Sequence, residues 1–296
     1  MMQALMGSLV ALVTPMNSDG DVDYDSLDKL IEWHIKEGTN GIVSVGTTGE
    51  SATVNFEEHI EVISHTVNYV DKRIPVIAGT GANSTSEALD LTLESKKVGA
   101  DYALLVTPYY NKPNQNGLIQ HYTKIADTVD IPQILYNVPT RTACDLHPDT
   151  AMILSKHQNI VGIKEAVNDS QRFKELISIS KSNKTFRVYS GDDPSFLQFL
   201  KEGGHGVISV AANVIPKAIS NICLAIRDES PESANEINKK YSELYDLLFI
   251  ESNPIPVKWI LFKMGLIKNF LRLPLVGLDK KYEENIMSEM LKLNLI

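Results

Sequence analysis

Lysine 164 stands near the end of an apolar run, Ile160-Val161-Gly162-Ile163-Lys164-Glu165-Ala166. An ammonium on a buried strand is expensive to desolvate. Burial lowers the pKa of a lysine, and a neutral amine forms Schiff bases with carbonyl compounds. The plainer reading is a lysine that snorkels out of the strand end or pairs with Glu165. Other residues of the right type fall at comparable positions. Tyr136 closes the run Ile131–Tyr136, and Arg141 follows it in Asn137-Val138-Pro139-Thr140-Arg141. Gly46-Thr47-Thr48-Gly49-Glu50-Ser51 offers amides and hydroxyls that suit a carboxylate, and glycines that let a ligand approach the backbone. A phenol beside an amine can move protons to and from a carbonyl adduct. An arginine can clamp a carboxylate with two hydrogen bonds.

The elements that must position these groups alternate along the chain. Strand-like runs are Ser8–Val13, Gly41–Val45, Pro75–Ala78, Tyr102–Val106, Ile131–Tyr136, Ile160–Lys164, Phe186–Tyr189 and Gly206–Val210. A helical pattern follows each, beginning with Tyr24–Glu37, where Leu27, Leu30, Ile31 and His34 share a face. Eight strand–helix units suggest an α/β fold, the TIM (β/α)8 barrel, over residues 1–227; an open doubly wound sheet is the alternative. Residues 228–296 lose the strand signal. They read as a small all-helical C-terminal domain, with helices near Pro231–Leu248, Pro254–Met264 and Lys280–Leu293. Barrel enzymes carry their chemistry where strands end. Lys164, Tyr136, Arg141 and the Thr47-Thr48 segment all fall at that end.

The 296 residues carry a net charge of −9 without a basic cluster, so nucleic acid is not an expected partner. Two cysteines, Cys144 and Cys223, fit a reducing compartment and no disulfide framework. The apolar start, Met1 to Val13, has no positive flank, the first basic residue being Lys29. It is expected to form the first strand of a cytoplasmic protein without membrane spans. No metal or cofactor is expected: the seven histidines lack ligand spacing, and Gly79-Thr80-Gly81-Ala82 lacks the third glycine of a dinucleotide site. If the chain makes a carbanion from a ketone, an amine must then act as electron sink, which favours Lys164. Asp192-Asp193-Pro194 resembles a metal pair but fits a helix cap better.

Gly46-Thr47-Thr48-Gly49-Glu50-Ser51, Tyr136-Asn137-Val138-Pro139-x-Arg141-Thr142 and Gly162-Ile163-Lys164-Glu165 together resemble the signature segments of the dihydrodipicolinate synthase family, within the wider N-acetylneuraminate lyase superfamily. The resemblance runs over essentially the whole chain. It implies a lyase that condenses pyruvate with L-aspartate 4-semialdehyde through an imine, the first committed step of lysine and diaminopimelate biosynthesis. It assigns Lys164 as the nucleophile and Tyr136, Thr47 and Tyr110 as a proton relay. Thr47 and Thr48 would hold the pyruvate carboxylate, Arg141 the semialdehyde carboxylate, and Gly191 and Ile208 the pocket wall. Tyr110 would reach a neighbouring subunit's site, implying a homodimer and by analogy a homotetramer. A feedback site for lysine would comprise Ser51, Ala52, His59, Asn83, Glu87 and Tyr109, with Phe56 where histidine is often found. The rival readings are a related aldolase acting on sialic or 2-keto-3-deoxy sugar acids, and a non-catalytic metabolite-binding barrel.

Overall fold

The computed structural model describes residues 5–296; Met1 to Ala4, part of the expected apolar start, lie outside them. Eight parallel strands close into a barrel in chain order. They are β1 (Gly7–Ala11), β2 (Gly41–Ser44), β3 (Val76–Gly79), β4 (Tyr102–Val106), β5 (Gln133–Asn137), β6 (Ile160–Glu165), β7 (Arg187–Ser190) and β8 (Gly206–Ser209). The closing pair is β1 with β8, in register from Gly7 opposite Gly206. Closure excludes the open sheet. No helix among the described residues is long and apolar enough to cross a membrane.

Strand ends differ slightly from the apolar runs, for reasons that pattern alone does not carry. The run of β1 continues to Val13, yet the strand stops at Ala11. There the Val13 N–H leaves the ladder and donates to Asn213 Oδ1 at 3.0 Å. The outer helices begin at side-chain caps: Asp23, Asn55, Asn114 and Asp169 each accept from the backbone N–H three residues on. Asn114 thereby starts its helix at Gln115, three residues before the apolar pattern does.

Beyond residue 228 the helices run Pro231–Lys240, Ser242–Leu247, Ile255–Lys263 and Lys280–Lys292. The helix expected over Pro231–Leu248 is interrupted at Tyr241, whose N–H bonds Asn238 three residues back. One hydrophobic cluster runs from Val10 and Leu12 through Ile219 to Trp259, Ile260 and Ile286. The C-terminal helices therefore share a core with the barrel's N-terminal units.

Candidate active site

β5 and β6 pair with Tyr136 directly opposite Lys164. Successive strand residues face opposite sides, so Lys164 turns into the barrel while Glu165 turns toward the helices. Pairing between the two is thereby ruled out. Glu165 instead accepts from Val167 N at 2.8 Å, Asn137 Nδ2 at 3.1 Å and Arg172 Nη1 at 3.2 Å. Burial pushes its carboxyl up to about 7 despite those donors.

Lys164 is 5% exposed, and its Nζ lies 4.2 Å from the centre of the Tyr136 ring. Burial, before any other cause, pulls its ammonium down to about 7. Asp193 opposes that fall and Arg141 adds to it. An ordinary lysine is neutral in only about one molecule in 2,500 at pH 7; with a pKa near 7, about half the molecules carry a free amine. The rate of imine formation with a keto acid is therefore expected to climb with pH up to about 7 and level off above about 8. Stopped-flow or intact-mass kinetics would read this, and a rate still climbing tenfold per unit at pH 9 would contradict it. The Tyr136 phenol is pushed up to about 12 by burial, tempered by Arg141 and by the Thr47 hydroxyl beside it. It stays a protonated donor at neutral pH.

Lys164 and Tyr136 open on a cavity of about 690 Å³, which Thr47, Thr48, Arg141 and Gly191 also line. β2 delivers the threonines through a strained corner. Val45 has φ +52°, a conformation costly for a β-branched residue. The chain then makes a tight turn in which Ser51 N bonds Gly46 O at 3.3 Å and Thr14 Oγ1 donates to Gly49 O at 2.7 Å. Gly191, after β7, leaves room for the amine: a Cβ there would lie 2.7 Å from Lys164 Cε. Arg141 sits on the single helical turn Pro139–Thr142, exposed at the rim.

Ile208 and Tyr110 do not line the larger cavity of their own chain. Ile208 is buried in the barrel interior with Tyr136 and Tyr189, and Val210, two residues on, reaches the cavity wall. Tyr110 is 89% exposed at φ +73° and lines no cavity of its own chain. The aspartate pair divides. The expected cap with Pro194 at the first helical position does not form: the helix starts at Phe196 with Ser195 as its N-cap residue, and Asp192 accepts from the Ser195 N–H at 3.1 Å just before it. Asp193 is instead buried, accepting from Val210 N at 3.0 Å and Ala211 N at 2.8 Å, so it pins the end of β8. Among the described residues no three His, Cys, Asp or Glu side chains gather as a metal set.

A second cavity of about 260 Å³ adjoins the first and shares Thr47, Val138 and Arg141 with it. Ser51, Ala52, His59, Glu87 and Tyr109 line it, together with Phe56. Asn83 does not; its carbonyl accepts from Asn111 Nδ2 at 2.8 Å. His59 Nε2 donates to Gly79 O at 2.7 Å, and burial lowers its pKa, so it presents a neutral ring.

Residues 4–293 match the model of the dihydrodipicolinate synthetase family. The chain belongs to that family. A 4-hydroxy-tetrahydrodipicolinate synthase of Stutzerimonas stutzeri is 55% identical over 286 residues, 97% of each chain. A solved dihydrodipicolinate synthase of Acinetobacter baumannii, complexed with pyruvate, superposes with a TM-score of 0.96 at 52% identity, covering 99% of this chain and 100% of that one. One from Cyanidioschyzon merolae with lysine bound superposes at 0.95 and 36% identity, over 99% of this chain and 100% of its own. Fold alone would not settle the chemistry of a synthetase-family member. The groups at the strand ends bear on it directly.

Sequence reasoning missed the wall formed by residues 249–253, which lines the larger cavity beside Thr48 and Arg141. It also missed the pairing of Glu50 with Lys258. A lysine inside Ile255-Pro256-Val257-Lys258-Trp259-Ile260 is the same kind of signal as Lys164.

Proposed function

We propose that the protein is a 4-hydroxy-tetrahydrodipicolinate synthase that joins pyruvate to L-aspartate 4-semialdehyde through an imine at Lys164. The observation that carries this reading is a buried amine held near pKa 7 against a protonated phenol at the barrel mouth. Neutral Lys164 adds to the ketone of pyruvate and water leaves, forming the imine. Thr47 and Thr48 donate to the pyruvate carboxylate. Loss of a methyl proton gives the enamine, whose carbon attacks the aldehyde of the second substrate; the new alkoxide takes up a proton. The substrate's own amine then displaces Lys164 and closes the ring. Tyr136 and Thr47 carry the protons, with Tyr110 of the partner subunit completing the relay. Arg141, exposed at the rim, holds the carboxylate of the incoming semialdehyde.

A Tyr110 that is exposed and lines neither cavity of its own chain supports a homodimer with shared sites; by analogy with the family, the dimers pair into a homotetramer in the cytoplasm. The smaller cavity is read as the lysine site, with Glu87 pairing the ammonium. Millimolar lysine is expected to lower the steady-state rate; an unchanged rate would overturn that assignment. The reaction itself is tested by assaying pyruvate with L-aspartate 4-semialdehyde against pyruvate with N-acetylmannosamine or a sugar aldehyde. Turnover with the semialdehyde alone is the expected result. Preference for a sugar favours the related aldolase, and binding without turnover favours a non-catalytic barrel.

A further inference from the structure

The barrel does not enclose the larger cavity by itself. Residues 249–253, between the helices Ser242–Leu247 and Ile255–Lys263, close one side of it. Asn253 is the member of this segment that touches the site's working groups. It is 5% exposed, and its Nδ2 donates to Thr48 Oγ1 at 3.0 Å. Its own carbonyl accepts from Arg141 Nη2 at 3.3 Å. Thr48 follows β2 and Arg141 follows β5, so one residue from outside the barrel joins two separate βα loops.

The sense of these bonds matters. A threonine hydroxyl has one proton to give and lone pairs to receive. While Asn253 Nδ2 donates into Thr48 Oγ1, the threonine proton stays free, and no acceptor among the described residues takes it. It can then be given to a carboxylate. Arg141 has five N–H groups in a rigid fork. Anchoring one on a main-chain carbonyl limits how the fork turns and leaves its other donors for a bidentate contact. We infer that Asn253 is a positioning residue, which holds Thr48 as a donor to the pyruvate carboxylate while anchoring Arg141 for the carboxylate of the second substrate. The inference rests on the reaction proposed above. Its side chain serves the pyruvate subsite and its main chain serves the other, so the C-terminal segment contributes to substrate binding as well as to the fold.

Steady-state kinetics of the full-length Asn253→Ala and Asn253→Asp variants test this. Losing one neutral hydrogen bond is expected to raise the pyruvate KM about three- to tenfold in Asn253→Ala, with kcat at saturating pyruvate within about twofold. Asn253→Asp is nearly isosteric, so it folds where alanine leaves a gap. It is expected to be the worse of the two for pyruvate, because a carboxylate takes the threonine proton and repels the substrate's charge. In a Thr48→Val background, Asn253→Ala should add little further to the pyruvate KM, since the pair acts as a unit. A merely structural role predicts the reverse: lower thermal stability, Asp milder than Ala, and effects additive with Thr48→Val. An unchanged pyruvate KM, an aspartate milder than alanine, or additivity with Thr48→Val overturns the inference. Wild-type enzyme that fails to turn over pyruvate with the semialdehyde would sink the proposed reaction instead, a distinguishable failure.

Discussion

Replacing Lys164 with methionine is expected to lower kcat/KM by on the order of 10⁴-fold or more and to raise thermal stability at neutral pH. Methionine keeps the apolar stem of the side chain and loses only the amine. The rate loss follows because no other lysine among the described residues lines the larger cavity, and covalent catalysis fails as a unit when its nucleophile goes. The stability gain follows from linkage. Lys164 has a folded pKa of about 7 against an ordinary 10.5, so the native state binds fewer protons than the unfolded chain between those values. The cost of burying the ammonium is therefore present in full below about pH 7. It shrinks as pH rises toward 10.5 and is gone above it. The variant's gain in melting temperature should accordingly be largest at or below pH 7 and fade by about pH 10. Parallel assays and thermal melts across that range check both parts. Retention of more than a tenth of the activity would refute the role of the amine. A variant less stable than wild type at pH 7 would refute the account of its burial.

The second large effect is structural. Glu50 ends the Gly46-Thr47-Thr48-Gly49-Glu50 turn, and both its side chain and that of Lys258 are fully buried, 2.5 Å apart. Lys258 Nζ also donates to Thr14 O at 3.0 Å, and Glu50 Oε2 accepts from Arg272 N at 3.2 Å. This cluster pins the loop that carries Thr47 and Thr48 to the C-terminal helices. Burial pulls the Lys258 ammonium down, and Glu50 is the charge that opposes the pull. Glu50→Gln strands a buried cation, expected to cost about 3–5 kcal/mol and to lower the melting temperature by on the order of 10 °C. Adding Lys258→Met to the same chain should recover most of that loss, because an apolar replacement of a whole buried pair is close to neutral. Thermal melts of both variants decide it. A single variant as stable as wild type, or a double variant no better than the single, would show that the pair does not hold the loop.

The barrel was legible because strand runs of four to six residues alternated with amphipathic helices, a pattern few folds share. Lys164 and Tyr136 were legible because a polar residue at the end of an apolar run announces itself, and chain-order closure put their strands side by side. What lay hidden depends on contacts between distant parts of the chain. Asn253 meets Thr48 across 205 positions and Lys258 meets Glu50 across 208. Neither partner carries a local pattern that names the other. Lys258 looked no different in kind from Lys164: both are lysines in apolar segments. The difference is the neighbour that each finds. Lys258 meets a buried carboxylate and becomes a structural ion pair. Lys164 meets a phenol ring and a glycine, the nearby Asp193 carboxylate being taken up by the Val210 and Ala211 N–H groups, and is left with a free amine. Asp193 was hidden for the opposite reason: an Asp-Pro pair reads as a local helix cap, whereas its carboxylate turns inward to the Val210 and Ala211 N–H groups at the end of β8.

An imine between pyruvate and Lys164 can be trapped by incubating the protein with pyruvate, reducing with borohydride, and measuring intact mass followed by peptide mapping. One reduced pyruvate adduct per chain is expected, located on Lys164 and missing from the Lys164→Met variant. An active enzyme with no trapped adduct, or with the adduct on another lysine, would contradict it.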